Sequence, residues 1–386
     1  MAGKKRLMFL IGSLEPAGAE RVLVDSVKAL RDFYDIEVVV VYEFLDNPNS
    51  LVSEMRSMVP VRSLIRYKRK GSFLERLPYR VGSRIKLELF NRVNPKYLYK
   101  VLFGRTNFDI EVAFLEGWPT RLLSGSPEGK AKTIAWVHTD MILNPWSLEH
   151  YSGEEEERRA YERFDKVLAV SSDVAGSIEK KYGIEAEFVQ NIIDDASVRT
   201  KAEGDFSFDE DGGVHIVTVG RLTQVKGYDR LVRVAAKLKE EGARFCIHMV
   251  GGGAMEDELR QLVGDLGLQG YVVFEGYQKN PYPYIKAADL LVCSSYAEGF
   301  SGVVVEAIIL GTPVLTTRCA GMVDILGTDD LCGVIVDNSE EGLRDGLSSL
   351  LNDPERLARY RDGAAKRGSD FSTAALAEKT MRVLEE

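Results

Sequence analysis

The chain has 386 residues, 45% of them hydrophobic, more than one core comfortably holds, so two domains are expected. Its formal charge of −9 argues against nucleic acid as a partner, because most of the surface repels a polyanion. The four scattered cysteines, Cys246, Cys293, Cys319 and Cys332, form no Cys-x-x-Cys pair, which points to buried reduced thiols and no zinc site.

In chain order, Lys4-Lys-Arg6 followed by the apolar residues 7–14 imitates a leader peptide, but the run is short and Glu15-Pro16 interrupts it. A first buried strand at 7–11, feeding a loop that carries Gly12 and Gly18, accounts for it better. No run reaches membrane-spanning length, and a cytoplasmic protein is expected. Further strands are predicted at 37–42, 110–114, 133–137 and 166–170, with helices at 154–163 and 172–180. His138, in Trp136-Val-His138-Thr-Asp140, stands just past the strand at 133–137, where a functional loop starts. Its plainer reading is a polar core residue satisfied by backbone.

Residues 56–105 hold 14 Lys or Arg against Glu75 and Glu88, a balance of +12, which leaves −21 for the rest of the chain. Aromatic and aliphatic side chains are interspersed at roughly helical spacing. That mixture describes an interfacial amphipathic surface suited to an anionic membrane, with a pair of helices bearing a solvated basic face as the plainer alternative. A polar, acidic linker is predicted at 196–213. Its Asp209-Glu-Asp211 triplet lacks the preceding strand that a metal-binding carboxylate group needs. A second run of strands follows at 214–219, 244–250, 272–275, 290–293 and 313–316 with helices between, so both halves alternate strand and helix as doubly wound sheets require. The chain should close with a helix at 369–386.

Two loops of the second half carry the chemistry. Gly220, Arg221, Lys226 and Gly227 follow the strand at 214–219, giving two cations in a glycine-bounded loop beyond a strand end. Such cations stabilise a departing diphosphate without a metal, each contributing on the order of 3 kcal/mol in the transition state. Glu298-Gly-Phe-Ser-Gly302 then leads into a helix that bears Glu306 and stops at Gly311-Thr-Pro313. Amides of Phe300, Ser301 and Gly302 at a helix N-terminus favour an anion, and the two glutamates can accept hydrogen bonds from hydroxyls. A sugar nucleotide suits this arrangement.

Gly220-Arg-Leu with Lys226-Gly, then Glu298-Gly-Phe with Glu306-Ala and Gly-Thr-Pro-Val, resembles the donor-binding half of the family-four retaining glycosyltransferases. Gly12-Ser-Leu-Glu-Pro-Ala-Gly18-Ala-Glu-Arg is similar to that family's first glycine-rich loop. Ala113-Phe-Leu-Glu116-Gly and the His138 segment resemble parts of its polysaccharide-assembling members. Ala17, where many relatives have glycine, and Ile192, where a hinge proline is common, depart from the pattern; Ala17 is expected to restrict the loop's approach to a phosphate.

The resemblance implies a GT-B fold, two Rossmann-like doubly wound domains facing a central cleft. It divides the chain into an acceptor-side domain at 1–195, the linker, a donor domain at 214–368 and a closing helix packed back on the first domain. It further implies transfer of a sugar, from a uridine diphosphate donor as the commonest case, to a lipid-linked or glycan acceptor with retention. Arg221, Lys226 and the amides at Gly299, Phe300, Ser301 and Gly302 would hold the diphosphate, with Gly12, Gly18 and Gly220 shaping the loops. Glu306 would take the ribose, Glu298 the donor sugar, and the backbone near Tyr277 the base. By the same resemblance His138 faces the donor sugar near the reacting carbon. Neither a cofactor nor a metal is implied. A sugar-nucleotide epimerase is the same-fold alternative, lacking its typical motif here. A silent binding or scaffold protein is the other; retention of Arg221, Lys226 and Glu306 argues against it.

Overall fold

In the computed structural model residues 3–68, 70, 72–209 and 212–386 are described, with Phe73, Leu74 and Arg76 described by backbone alone. The chain forms two compact units, Met1–Ile192 with Leu376–Glu386, and Ile193–Ala375.

The first unit is built on seven strands: β1 (Arg6–Ile11), β2 (Asp35–Phe44), β3 (Val61–Tyr67), β4 (Ile110–Phe114), β5 (Lys132–Val137), β6 (Lys166–Ala169) and β7 (Glu187–Phe188). All pair in parallel, in the order β3-β2-β1-β4-β5-β6-β7. Strands covered on both faces need continuous apolar runs, and residues Leu7 to Ile11 are wholly buried. Phe9, Phe114 and Trp136 interlock edge-on across the central strands at 5.7 and 5.0 Å. The order reverses between β1 and β4, the point at which open α/β sheets leave a crevice beyond the strand ends. Gly12 follows β1 there, and Leu115-Glu116-Gly117 follows β4.

The second unit repeats the plan with β8 (Val214–Val219), β9 (Phe245–Val250), β10 (Val272–Gly276), β11 (Leu290–Cys293), β12 (Val314–Thr317) and β13 (Gly333–Val336), in the order β10-β9-β8-β11-β12-β13. One face is covered by the helices Tyr228–Glu240, Glu256–Asp265 and Glu340–Leu351, through Leu231, Leu238, Leu259, Leu343 and Leu347. The helix Gly302–Leu310 covers the other with Val304, Val305, Ile308 and Ile309, each contributing about 1.5–3 kcal/mol by burial. That packing fixes the loop ahead of the helix, which holds the candidate site. The reversal here falls between β8 and β11.

Three expectations change. The segment 196–213 is not a plain linker. It begins within the helix Asp195–Lys201, capped by Asp194 accepting from the Ser197 amide at 3.0 Å, and Val198 is buried beside Val304 and Ile308. Polar composition hid a helix with a single apolar anchor. Glu210 and Asp211 of the acidic triplet lie outside the described residues. The closing segment starts with a short turn, Gly368–Phe371, whose Phe371 is buried in the second unit. The helix Thr373–Glu385 follows, and Glu385 there pairs with Lys5 at 2.5 Å while the Leu384 carbonyl accepts from Lys132 at 3.0 Å. Lastly, β3 lies inside the basic window read as helical, because Arg62 and Arg66 interrupt its apolar pattern.

Candidate functional site

In the second unit β8 ends at Val219, and Gly220 turns the chain at φ +156, where a Cβ would lie 2.8 Å from the Tyr228 hydroxyl. Gly227 is left-handed at φ +63, and a Cβ there would meet the Ser294 carbonyl oxygen at 2.2 Å. Glycine at 227 therefore lets the loop after β8 press against the loop after β11. Two hydrogen bonds zip them together, from the Tyr296 amide to the Val225 carbonyl at 2.8 Å and from the Ser294 hydroxyl to the Lys226 carbonyl at 2.9 Å. Across this seam Lys226 Nζ stands 2.7 Å from Glu298 Oε1, which also accepts from the Ser295 hydroxyl at 2.5 Å. The two side chains are 26% and 11% exposed. Burial alone would push the Lys226 ammonium down; the Glu298 carboxylate outweighs it and holds the group above the ordinary lysine range. Arg221 differs: its side chain is exposed and makes no ion pair among the described residues.

Glu306 is the fifth residue of the helix Gly302–Leu310, half-buried, and accepts from the Tyr282 hydroxyl at 3.2 Å. Ser301 is the N-cap with no side-chain cap bond. Among the described residues no hydrogen bond occupies the amides of Phe300, Ser301 or Gly302. Gly299 lies in the turn between Glu298 and this helix end. Tyr277 is exposed just past β10, beside Gly252. Gly220, Arg221, Lys226, Glu298, Gly299, Phe300, Ser301 and Gly302 thus gather beyond the ends of the adjacent strands β8 and β11, with Glu306 a turn into the helix.

Two elements of this site are not among the residues the sequence singles out. Arg230 is 2% exposed and donates to the Ser294 carbonyl at 2.9 and 2.6 Å and to the Ser295 carbonyl at 2.7 Å, with its guanidinium 3.9 Å over the Tyr296 ring. Its signal was a cation in a helix's first turn, where the dipole disfavours one unless other groups hold it. The run Gly251-Gly252-Gly253 after β9 is the second. A Cβ at Gly251 would stand 1.9 Å from the Gly220 carbonyl oxygen, and one at Gly253 2.4 Å from that of Leu222. Three glycines directly after a strand were a usable signal of close backbone approach.

In the first unit the Gly12 carbonyl accepts from the Tyr42 amide at 2.8 Å. Gly18 opens the helix Gly18–Leu30 and nothing crowds the space a Cβ would take. Ala17 caps that helix at φ −149 and ψ 176, extended backbone that any residue adopts, so the restriction expected of Ala17 does not arise. His138 follows β5 with its ring 4.5 Å from that of Phe114. Its Nε2 is buried without a hydrogen-bond partner among the described residues, and burial pushes its pKa down to about 3, so the ring is neutral. Beneath it, the wholly buried Glu116 accepts through Oε1 from the amides of His138 and Thr139, the latter at 2.7 Å. Burial raises that carboxyl to about 7.

The basic window combines β3 with the helices Phe73–Arg92 and Pro95–Phe103. Leu77, Val81, Ile85 and Leu89 form an exposed row at four-residue spacing, and Tyr97 and Val101 repeat it on the second helix. Arg80, Arg84, Lys96 and Lys100 are exposed alongside, without ion pairs among the described residues. Other cations of the window are paired: Arg56 and Arg66 with Glu43 at 2.8 and 3.4 Å, and Lys68 with Glu75 at 2.6 Å. Arg69 lies outside the described residues. Among the described residues no helix is long and apolar enough to cross a membrane, and no group of three or more His, Cys, Asp or Glu is placed to hold a metal ion.

The model of Glycosyltransferase Family 4 matches residues 16–197, and that of glycosyl transferases group 1 matches residues 202–367. The chain is a family-four glycosyltransferase. It is 26% identical over 386 residues to the N-acetylgalactosamine-N,N'-diacetylbacillosaminyl-diphospho-undecaprenol 4-alpha-N-acetylgalactosaminyltransferase of Campylobacter jejuni, covering 98% of this chain and 99% of that protein. Among solved structures, HepE of Anabaena in complex with UDP-glucose superposes with a TM-score of 0.71 at 18% identity, over 98% of this chain and 99% of that one. Sucrose-phosphate synthase of Thermosynechococcus elongatus superposes with a TM-score of 0.72 at 17% identity, over 99% and 98%. These neighbours and the two doubly wound sheets make the fold GT-B.

Proposed function

We propose that this glycosyltransferase moves a sugar from a uridine diphosphate donor to a lipid-linked or glycan acceptor, with retention and without a metal, in glycoconjugate assembly. The observation that carries the reading is the Lys226–Glu298 pair at the ends of β8 and β11, flanked by Arg221 and by the amides of Phe300, Ser301 and Gly302, which no hydrogen bond among the described residues occupies. Arg221, Lys226 and those amides offset the charge that grows on the leaving diphosphate. Glu306 takes the ribose hydroxyls, Glu298 the donor sugar hydroxyls, and His138 a sugar hydroxyl near the reacting carbon.

Retention by double displacement needs a carboxylate nucleophile at that carbon. Glu298 Oε1 is already engaged by Lys226 and Ser295, which supports the same-face route instead. In that route the bond from the anomeric carbon to the phosphate oxygen breaks and the acceptor oxygen bonds on the same face. The acceptor proton passes to the departing phosphate. A lipid-linked acceptor is favoured by the diphospho-undecaprenol named in the Campylobacter relative and by the exposed apolar rows flanked by Arg80, Arg84, Lys96 and Lys100. Those rows suit a cytoplasmic protein held peripherally on an anionic membrane face.

Nucleoside diphosphate release from a panel of sugar nucleotides, with and without lipid-linked acceptor, tests the reading. Acceptor-stimulated release from a UDP-sugar with an axial product linkage is expected. Absence of release from every donor, or an equatorial product, would sink it.

A further inference from the structure

Glu116 stands in an arrangement that stability alone does not account for. Its carboxyl group is 0% exposed, and while Oε1 receives the amides of His138 and Thr139, Oε2 is buried with no partner among the described residues. The loop that delivers it is strained: Leu115 has φ +151, a region L-residues avoid, and Gly117 has φ +75. A side chain at Gly117 would press within 3.4 Å of both the His150 and Trp146 rings. The result is a carboxyl group held at the end of β4 that reaches across to the chain leaving β5, the adjacent strand. There the His138 Nε2 is also buried and unpartnered. Strain and unpaired buried polar atoms concentrate where a structure serves something other than its own stability.

We infer that Glu116 is a positioning residue for His138: by holding both amides of the turn after β5 it fixes where the imidazole Nε2 stands for a donor hydroxyl. This role rests on the assignment of His138 to the donor sugar made above. The two N–H bonds converge on one oxygen, so they restrain both peptide planes flanking His138 and hence the direction of its side chain. The Phe114 ring at 4.5 Å then limits the imidazole from one side. Glu157 and Tyr161 of the helix Glu154–Tyr161 act electrostatically on the same carboxyl pocket, and burial favours the uncharged acid, which still offers Oε1 as an acceptor.

The test compares Glu116→Ala, Glu116→Gln and His138→Ala in the full chain, reading kcat and donor KM with a turned-over sugar nucleotide. The carbon-13 signals of the four histidines are followed against pH alongside. His138→Ala should lower kcat at least tenfold. Glu116→Ala should lower it at least fivefold with donor KM within twofold, and its His138 ring should begin to titrate between pH 5 and 7. Glu116→Gln keeps an acceptor oxygen in place, so it should hold kcat within twofold at pH 6 and leave the ring signal flat. Should Glu116→Ala not stay soluble, Glu116→Asp, one methylene short of the amides, takes its place. Wild-type kcat in the Ala or Asp variant beside a slow His138→Ala overturns the positioning role alone. A Gln variant as slow as His138→Ala overturns it too, because the acid itself would then be needed. Wild-type turnover in His138→Ala overturns the assignment of His138, and the positioning role with it.

Discussion

Replacing Lys226 by Met separates what the ammonium does for the fold from what it does for the reaction. In the transition state a well-placed cation contributes about 3 kcal/mol against the leaving charge, so kcat should fall roughly a hundredfold. The same change leaves Glu298, 11% exposed, without its counter-ion. Stranding a wholly buried charge costs about 3–5 kcal/mol, and access to water through the 26% exposed Lys226 position reduces this to about 1–2 kcal/mol. Thermal unfolding should therefore move down by a few degrees, at about 2–4 °C per kcal/mol for a domain of this size. Adding Glu298→Gln removes the stranded charge, since an amide can keep the Ser295 hydroxyl as a donor. The double variant should regain most of the lost stability and remain at least a hundredfold slow. Nucleoside diphosphate release at saturating donor and a fluorimetric melt of each variant decide it. If turnover recovers together with stability, the pair is structural and the diphosphate assignment of Lys226 is wrong.

Glu306→Gln should raise donor KM about tenfold with kcat within threefold, because a hydrogen bond to a charged acceptor is worth about 1.5–3 kcal/mol and ribose contacts are alike in ground and transition states; a larger loss in kcat than in affinity would mean that the roles of Glu298 and Glu306 are exchanged. Val81→Ser with Ile85→Ser, combined with Arg80→Gln and Arg84→Gln, should cut co-sedimentation with anionic vesicles at least tenfold at low salt, each cation contributing about 1 kcal/mol, and leave donor affinity unchanged; wild-type protein that ignores such vesicles refutes the membrane assignment. Glu116 holds its proton up to about pH 7 in the fold against an ordinary value of 4.5, so the stability its acid form contributes is complete below pH 4.5 and lost as pH rises to about 7. A shift of that size corresponds to about 3 kcal/mol, and Glu116→Gln should flatten the decline by that amount; equal slopes in both proteins would show the carboxyl to be solvated.

What the sequence shows and what it hides follow from the range of the interactions. The strands were legible because β1, β4, β5, β9 and β11 are covered on both faces and are therefore mostly apolar, with only single buried polar residues such as Glu111 and His248. The helix at Gly302–Leu310 was legible because its stop at Gly311, left-handed at φ +76, is local backbone chemistry. β3 escaped because its charged residues find partners off the strand: Arg62 pairs with Glu37 at 3.1 Å and Arg66 with Glu43 at 3.4 Å. The Lys226–Glu298 bond joins residues 72 positions apart, and no periodicity announces it. Arg230 and the Gly251–253 run left a local signal, but their partners did not, since what they serve is the close approach of loops from three different strands.

That approach gives the site its electrostatic character. The Ser295 carbonyl takes hydrogen bonds from Arg230, from the Thr317 hydroxyl at 2.6 Å and from the Cys319 thiol at 3.2 Å, so the loop that presents Glu298 is fixed before any ligand arrives. Arg230 is neutralised by carbonyl dipoles and, among the described residues, by no carboxylate within ion-pair distance. Lys226 is matched by Glu298, and Arg221 by no carboxylate among the described residues. Among the described residues, two cations without a carboxylate partner therefore flank one neutral pair, Arg230 buried against backbone carbonyls and Arg221 exposed. A buried cation acts through a lower effective dielectric than an exposed one and is less screened by salt. Under the proposed function, Arg230 would thus supply a fixed attraction for an anion at the ends of β8 and β11, without reorganising during the reaction. Arg221, exposed, keeps its side-chain freedom, which under the proposed diphosphate assignment lets it close on a phosphate. On the same reading, that division would let the two loops be both rigid enough to orient a sugar and positive enough to release a diphosphate.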